Sequence, residues 1–317
     1  MSAYRAWRIG SVIILGIAGI VAARGQGVPP DQAPPPAAPA APGGTEARPA
    51  ADAAPAASTP VEPIDPRLDE ILTRLEQREV SDLRAGVAWR MQYVVDLPED
   101  ATTKRGRLWY QQGKPTARFM IHFSESIQGD RREKTDERHG FDGEWYTDYQ
   151  ARSKSAIRTQ VRRPDDPDNP FDIARGLFPL PFGQKKADIL REFQARLVPP
   201  AAGDPPDTDR VELTPREGTR IGTIYGKMDF WIARAGRLEG LPIRVKVAKK
   251  DGTGQINSHI TITFDDVALN AGFPGDVFKM DIPKDFQVTV EPLDAPPQVH
   301  VTIPGKKPEP GAQPARP

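Results

Sequence analysis

Cysteine is absent from the 317 residues. That excludes disulfides, thiol catalysis, iron–sulfur clusters, thiolate zinc sites and acylation on a cysteine of the chain itself. Histidine is scarce. His122, His139, His259 and His300 have no helical metal-ligand spacing, so a His-based metal site is not expected. An excess charge of either sign is also missing. Lys plus Arg number 43 and Asp plus Glu 43, which excludes a strongly basic nucleic-acid binder and an acidic solvating protein. The longest apolar run falls short of the ~20 residues of a spanning helix. A phosphate loop is lacking too: Gly222 to Lys227 has the wrong spacing and falls in a region read as strand. No cofactor and no metal are expected.

Proline, in contrast, is plentiful at 35 residues, so part of the chain is expected to be unpacked. Arg5 and Arg8 precede the apolar run Ser11 to Ala23, and Val21 and Ala23 suit signal-peptidase cleavage. Residues 1–23 therefore read as a signal peptide, or as an uncleaved anchor. Either way the rest of the chain is placed outside the cytoplasm. Residues 24–65 hold 11 Pro and 12 Ala, too little apolar area to offset ordering entropy, and read as a disordered linker. Residues 294–317 read as a second Pro-rich tail. The folding unit is 66–293, ample for one core.

Asp65-Pro66 opens a helix, with Asp as cap and Pro at its first position. Leu68, Ile71, Leu72 and Leu75 follow at i, i+3, i+4, i+7. After Gly86 the period becomes two: Val87, Trp89, Met91, Tyr93 and Val95 alternate with mostly polar residues. Strands are expected over 106–111, 118–123, 155–161, 193–198, 210–214, 227–233, 243–247 and 256–264. Asp142-Gly143 signals a hairpin into Glu144-Trp145-Tyr146. Short connections such as Asp251-Gly252 argue for antiparallel neighbours. The charged stretch Asp130 to Arg138 mixes both signs and reads as a solvated strand face. Residues 185–193 read as a short helix. The Pro-rich apolar stretch 169–182 cannot be a central strand, because Pro179 and Pro181 lack donors; a helical turn and an apolar loop fit better.

One inward apolar face over ten or so strands, plus an apolar helix stripe, means a sheet wrapped around something. The filling is either a plain core or a cavity. His122 and His259 read as half-exposed strand residues, not as triad members. Asp165, Asp166 and Asp168 read as a solvated loop, not as a cation site.

The order of these pieces resembles the LolA family, the periplasmic carriers of outer-membrane lipoproteins. The resemblance spans about residues 68–290. Gly106-Arg107-Leu108-Trp109-Tyr110, then Lys114-Pro115 and Phe119, is similar to that family's G-x-L-W, basic-Pro, Phe pattern. Phe141 to Tyr146 resembles its D-G hairpin, Asn169 to Arg175 its central helix, and Val211 to Pro215 its V-L-T-P strand. Phe273 with Val277 to Pro283 is similar to its terminal strand. The resemblance implies a mainly β (α+β) fold, an incomplete antiparallel β-barrel of about ten or eleven strands with helices covering an apolar cavity. It implies a non-enzymatic, monomeric carrier of acylated lipoproteins or lipids. Its partners would be an inner-membrane loading complex and an outer-membrane acceptor, with no nucleic acid. The cavity would be lined by Trp89, Met91, Tyr93, Leu108, Tyr110, Phe119, Ile121, Phe123, Trp145, Phe230, Ile232, Ile260 and Ile262. Phe171, Ile173, Leu177, Phe178, Leu180 and Phe182 would form a lid. Lys114 matches the family's functional Arg and would assist cargo transfer. A lipid-sensing regulator of the same fold and a hydrolase are the alternatives.

The linker reading has a direct consequence. Deleting residues 30–60 should leave the thermal unfolding midpoint of the folding unit unchanged, because so little apolar surface is lost. A large drop in calorimetry would mean that the linker packs on the domain.

Overall fold

The computed structural model describes residues 64–113, 116–166, 171, 183–273 and 275–293. The leader, most of the linker and the tail lie outside them, as do Lys114, Ile173, Leu177, Phe178, Leu180 and Phe182.

Asp65 caps the first helix, α1 (Pro66–Gln77), and its Oδ1 accepts from the amides of Arg67 (2.7 Å) and Leu68 (3.3 Å). Leu68, Ile71, Leu72 and Leu75 are buried as the periodicity predicts. The polar side of α1 is tied down by ion pairs from Arg67 to Asp209, from Arg74 to Glu239 and from Lys186 to Asp69.

Strands follow in two runs. The first is β1 (Asp82–Tyr93), β2 (Thr102–Gln111), β3 (Arg118–Gln128), β4 (Arg131–Phe141), β5 (Trp145–Gln150) and β6 (Ser155–Gln160). A short helix, α2 (Lys186–Glu192), leads into the second. That run is β7 (Phe193–Val198), β8 (Thr208–Pro215), helix α3 (Arg220–Ile224), β9 (Tyr225–Ala233), β10 (Pro242–Lys250) and β11 (Ile256–Leu269). A last strand, β12 (Gln287–Glu291), completes one sheet of order β12-β6-β5-β4-β3-β2-β1-β11-β10-β9-β8-β7. Neighbours are antiparallel except β12 and β6, which run parallel. The sheet is open, since its end strands β12 and β7 do not pair with each other. Side chains of α1 and of β1–β5 and β7–β11 join one apolar cluster. One face of the sheet therefore curves around the helix stripe.

Among the described residues twelve strands form, close to the ten or eleven expected, and the mainly β, incompletely closed sheet is as expected. Several expectations are corrected. Val95 is not in β1: the strand ends at Tyr93, whose carbonyl accepts from Asp96 N (3.2 Å), and Val95 stands exposed in the turn. Gly222 lies in α3, where its amide is capped by Thr219 Oγ1 (3.3 Å), and not in a strand. Val277 to Pro283, read as a closing strand, is irregular. It crosses the outer face instead, fixed by rings. Phe278 lies under the Arg118 guanidinium (4.3 Å), and Phe286 stacks on Tyr149 (4.9 Å). The pairing strand begins after those anchors, at Gln287.

Close approach explains one glycine. The β2–β3 register shifts at Arg105/Gly106, and a Cβ on Gly106 would meet the His122 carbonyl oxygen at 1.9 Å. Only glycine fits there.

The core depends on the α1 stripe. Leu72→Ala should lower stability by about 2–5 kcal/mol, the usual cost of a large-to-small change in a packed interior. Urea denaturation measures it; a loss below about 1 kcal/mol would show that the helix is not integral to the core.

Candidate functional site

Register fixes which side chains share the inner face. On one half, Phe230, Val245, Ile262 and Trp89 stand in a row across β9, β10, β11 and β1. Met228, Val247, Ile260 and Met91 form the adjacent row. On the other half, Tyr110, Phe119, Phe141 and Tyr146 align across β2–β5, and Leu108, Ile121 and His139 lie beside them. Of the expected lining residues, Trp89, Leu108, Tyr110, Phe119, Ile121, Phe123, Phe230, Ile232, Ile260 and Ile262 are buried in one cluster, with Met91 packed against it. Tyr93 lies at the end of β1 and is half-buried.

Trp145 was expected on this face and lies on the other. Its neighbour Tyr146 pairs with Phe141 and points inward, so alternation turns Trp145 outward. There it stacks under the Arg158 guanidinium at 5.2 Å. The expectation failed because the Asp142-Gly143 turn sets the parity of β5, and both Trp145 and Tyr146 are aromatic.

Of the expected lid, Phe171 falls among the described residues. It is buried edge-on among Tyr110 (6.1 Å), Phe119 (6.0 Å) and Phe141 (5.7 Å). Its carbonyl accepts from Gln184 Nε2 at 2.8 Å. The segment that leaves β6 thus sends a ring into the aromatic floor of the inner face.

A second feature departs from the solvated reading of Asp130 to Arg138, which holds at Arg131, Arg132 and Lys134 but fails at Glu137. Glu137 and His139 are buried, at 5% and 0% exposure. Lys104 Nζ donates to both Glu137 carboxylate oxygens, at 2.6 and 2.7 Å. His139 Nε2 lies 2.9 Å from Glu137 Oε1, and Nδ1 lies 2.8 Å from Tyr146 Oη. A carboxylate only accepts, so Nε2 carries the proton; in the neutral ring Nδ1 then accepts from the Tyr146 hydroxyl. Asp148 stands 3.7 Å from Nδ1. The signal was present in the sequence. Phe141 points inward, and period two then carries His139 and Glu137 inward as well.

Electrostatics follow from these contacts. Burial raises the Glu137 carboxyl, but His139 and Lys104 outweigh it and hold the pKa at about 2. Burial raises Asp148. Burial, then Asp148 and Glu137, push the Tyr146 phenol well above its ordinary value. The relay therefore ends on a phenol that stays protonated, a property of a structural network more than of a nucleophile. Among the described residues, no group of three His, Asp or Glu side chains could hold a metal ion. No helix among them is long and apolar enough to cross a membrane.

A small apolar recess is lined by Leu83, Leu238, Leu241, Pro242, Ile243, Phe264 and Val267. None of the expected lining residues borders it.

No family profile matches the chain. No curated protein matches it. Several solved structures are similar. One is an uncharacterized conserved protein from Thermus thermophilus, 12% identical, covering 71% of this chain and 99% of that one, TM-score 0.38. Another is a LolA superfamily protein from Nitrosomonas europaea, 14% identical, covering 67% and 97%, TM-score 0.31. A third is the Pseudomonas aeruginosa MucA/MucB complex, 12% identical, covering 68% and 59%, TM-score 0.33.

The buried ion network has a pH signature. Glu137's folded pKa lies below its ordinary value of 4.5. Its stabilisation is complete above that value and is lost as pH falls towards about 2. Glu137→Gln leaves the half-buried Lys104 without its partner and should cost on the order of 3 kcal/mol at pH 7. The gap between wild type and variant should narrow at pH 3. Urea midpoints at both pH values test this; a constant gap would contradict the assignment.

Proposed function

We propose that this protein is a non-enzymatic, extracytoplasmic carrier that shields the acyl chains of lipoproteins or lipids against the inner face of its sheet. The observation that carries the reading is Phe171. A ring from a connecting segment occupies the aromatic floor formed by Tyr110, Phe119 and Phe141. The ring itself is held through edge-on aromatic contacts and burial, so an acyl chain that offers the same burial can take its place in the floor. The apolar rows beside it extend the same surface across the sheet. Burying roughly a dozen methylenes at ~0.8 kcal/mol each gives ~10 kcal/mol before entropy and strain. That is enough to keep a chain out of water. Release then requires an acceptor that offers the chain an equally apolar site.

In this reading the leader at 1–23 directs the chain to the periplasm, and the linker frees the domain to diffuse or to reach from an anchor. Loading and acceptor complexes at the two membranes are the proposed partners. Lys114 is the proposed residue of cargo transfer, on the strength of its place in the sequence.

Native mass spectrometry with lipid extraction, on protein purified from its own host, tests the proposal. An intact acyl-bearing ligand is expected. Phe119→Asp, which places an unpaired carboxylate in the apolar floor at a cost of several kcal/mol, should abolish retention. Circular dichroism confirms that the variant is folded. A folded Phe119→Asp protein that retains its lipid, or turnover of an ester by the wild type, would sink the carrier reading.

A further inference from the structure

The apolar rows of the inner face end on a polar one. Beyond Met228, Val247, Ile260 and Met91, the next row is Tyr225 on β9, Lys249 on β10, Ser258 on β11 and Tyr93 on β1. Each is paired in register with the next. The wall therefore changes from hydrocarbon to hydrogen-bonding groups within one step of the pleat. Bulges mark the change: the register shifts at Ala248/Lys249 against β9 and at Lys249/Lys250 against β11.

Two of these groups are unanswered. Tyr225 is 0% exposed, and its Oη has no hydrogen-bond partner among the described residues. Leaving a buried hydroxyl unpaired costs about 1–3 kcal/mol, and native interiors rarely tolerate it without a purpose. Lys249 is half-buried and forms no ion pair among the described residues. Burial lowers its pKa, and no neighbouring carboxylate opposes that effect. The other members of the row are accounted for. Ser258 Oγ lies against Asn257 Oδ1 at 3.0 Å. Asp96 acts on Tyr93, whose phenol is raised by burial and then by that charge. The adjacent Lys250, one residue on in β10, donates to the Gly222 carbonyl at 2.8 Å. Lys227, two residues from Tyr225, pairs with Glu212 at 2.9 Å.

An uncompensated ammonium beside an unpaired phenol presents two donors and no charged acceptor. Both needs are met by oxygens that carry negative charge. We infer that the Tyr225–Lys249 end of the inner face is a subsite for the oxyanion headgroup of an amphiphile, a phosphate, sulfate or carboxylate, whose chain lies along the apolar rows. The inference rests on the acyl-chain reading and names the class of ligand that reading leaves open. Lys249 reaches solvent and meets the headgroup first. Tyr225 donates once the surrounding side chains part.

Isothermal titration calorimetry on the full chain, with probes below their micelle concentrations, tests the subsite. The probes are dodecyl phosphate, dodecyl maltoside, dodecyltrimethylammonium and inorganic phosphate. Dodecyl phosphate should bind the wild type at least tenfold tighter than the other two dodecyl probes. Lys249→Met should remove that preference and keep dodecyl maltoside affinity unchanged, while Lys249→Arg should retain it. Tyr225→Phe should weaken dodecyl phosphate several-fold without lowering the unfolding midpoint, because it deletes a hydroxyl that has no partner in the free protein. Equal affinity for dodecyl phosphate and dodecyl maltoside would overturn the subsite and leave chain binding standing. Inorganic phosphate binding as tightly as dodecyl phosphate would assign the site to a free anion and overturn the amphiphile. Failure of every dodecyl probe to bind would overturn both readings.

Discussion

Two meanders, β1–β6 and β7–β11, become one sheet because β1 pairs with β11. That ladder runs from Leu83 opposite Leu269 to Tyr93 opposite Ser258. It joins residues far apart in the chain and closes a long loop, which is entropically costly. It also aligns the two halves of the inner face. Without it, the rows Phe230–Val245–Ile262–Trp89 and Met228–Val247–Ile260–Met91 would not cross from β9 to β1. The α1 stripe would then have no continuous surface to cover.

The two faces of the sheet are held differently. The inner face relies on burial, with Leu68, Ile71, Leu72 and Leu75 packed against strands from both meanders. The outer face relies on rings, cations and ion pairs. Trp231 stacks between Arg210 (5.1 Å) and Arg244 (5.6 Å), and the ladder continues through Arg210–Asp229 and Lys227–Glu212. Arg138 over Tyr149, and Arg118 over Phe278, do the same for β3–β5. The Asp229 and Glu212 carboxylates are buried beneath these cations, and the stacked guanidinium groups cover aromatic area that would otherwise face water.

The inner face is not uniformly apolar. The Lys104–Glu137–His139–Tyr146 network sits on β2–β5, and the Tyr225–Lys249–Ser258–Tyr93 row lies at one end of β9–β11 and β1. The first is internally satisfied: two donors converge on one carboxylate, and the imidazole links it to a phenol. The second is not, since Tyr225 Oη and the Lys249 ammonium have no such partners among the described residues. A satisfied network fixes a wall, whereas an unsatisfied one is open to a ligand.

Local chemistry was legible in the sequence where one element decides it. The Asp65-Pro66 start and the Leu68, Ile71, Leu72, Leu75 stripe define α1, since capping and a 3.6-residue period need no distant partner. Period two likewise defined Trp89, Phe119, Phe123, Phe230 and Ile262 as one-sided strand residues. Parity across a turn was harder. Trp145 and Tyr146 compete for the same face, and the hydrogen bonds of Asp142 Oδ1 to the amides of Glu144 and Trp145 decide which turns inward. The closing strand was misplaced because Val277 to Pro283 looks like a strand until Phe278 is brought under its partner, Arg118. Glu137 looked solvated because a charge run is usually exposed; Lys104, more than thirty residues earlier, is what makes its burial tolerable. The polar row was equally invisible, because Lys249 and Tyr225 acquire meaning from the absence of partners around them, and partners are a property of the folded surroundings. The chain's own pattern thus determined which residues turn inward along each strand, through the fixed period of the backbone. The tertiary structure alone decided which strands stand side by side, and so which charges are cancelled and which are left unpaired.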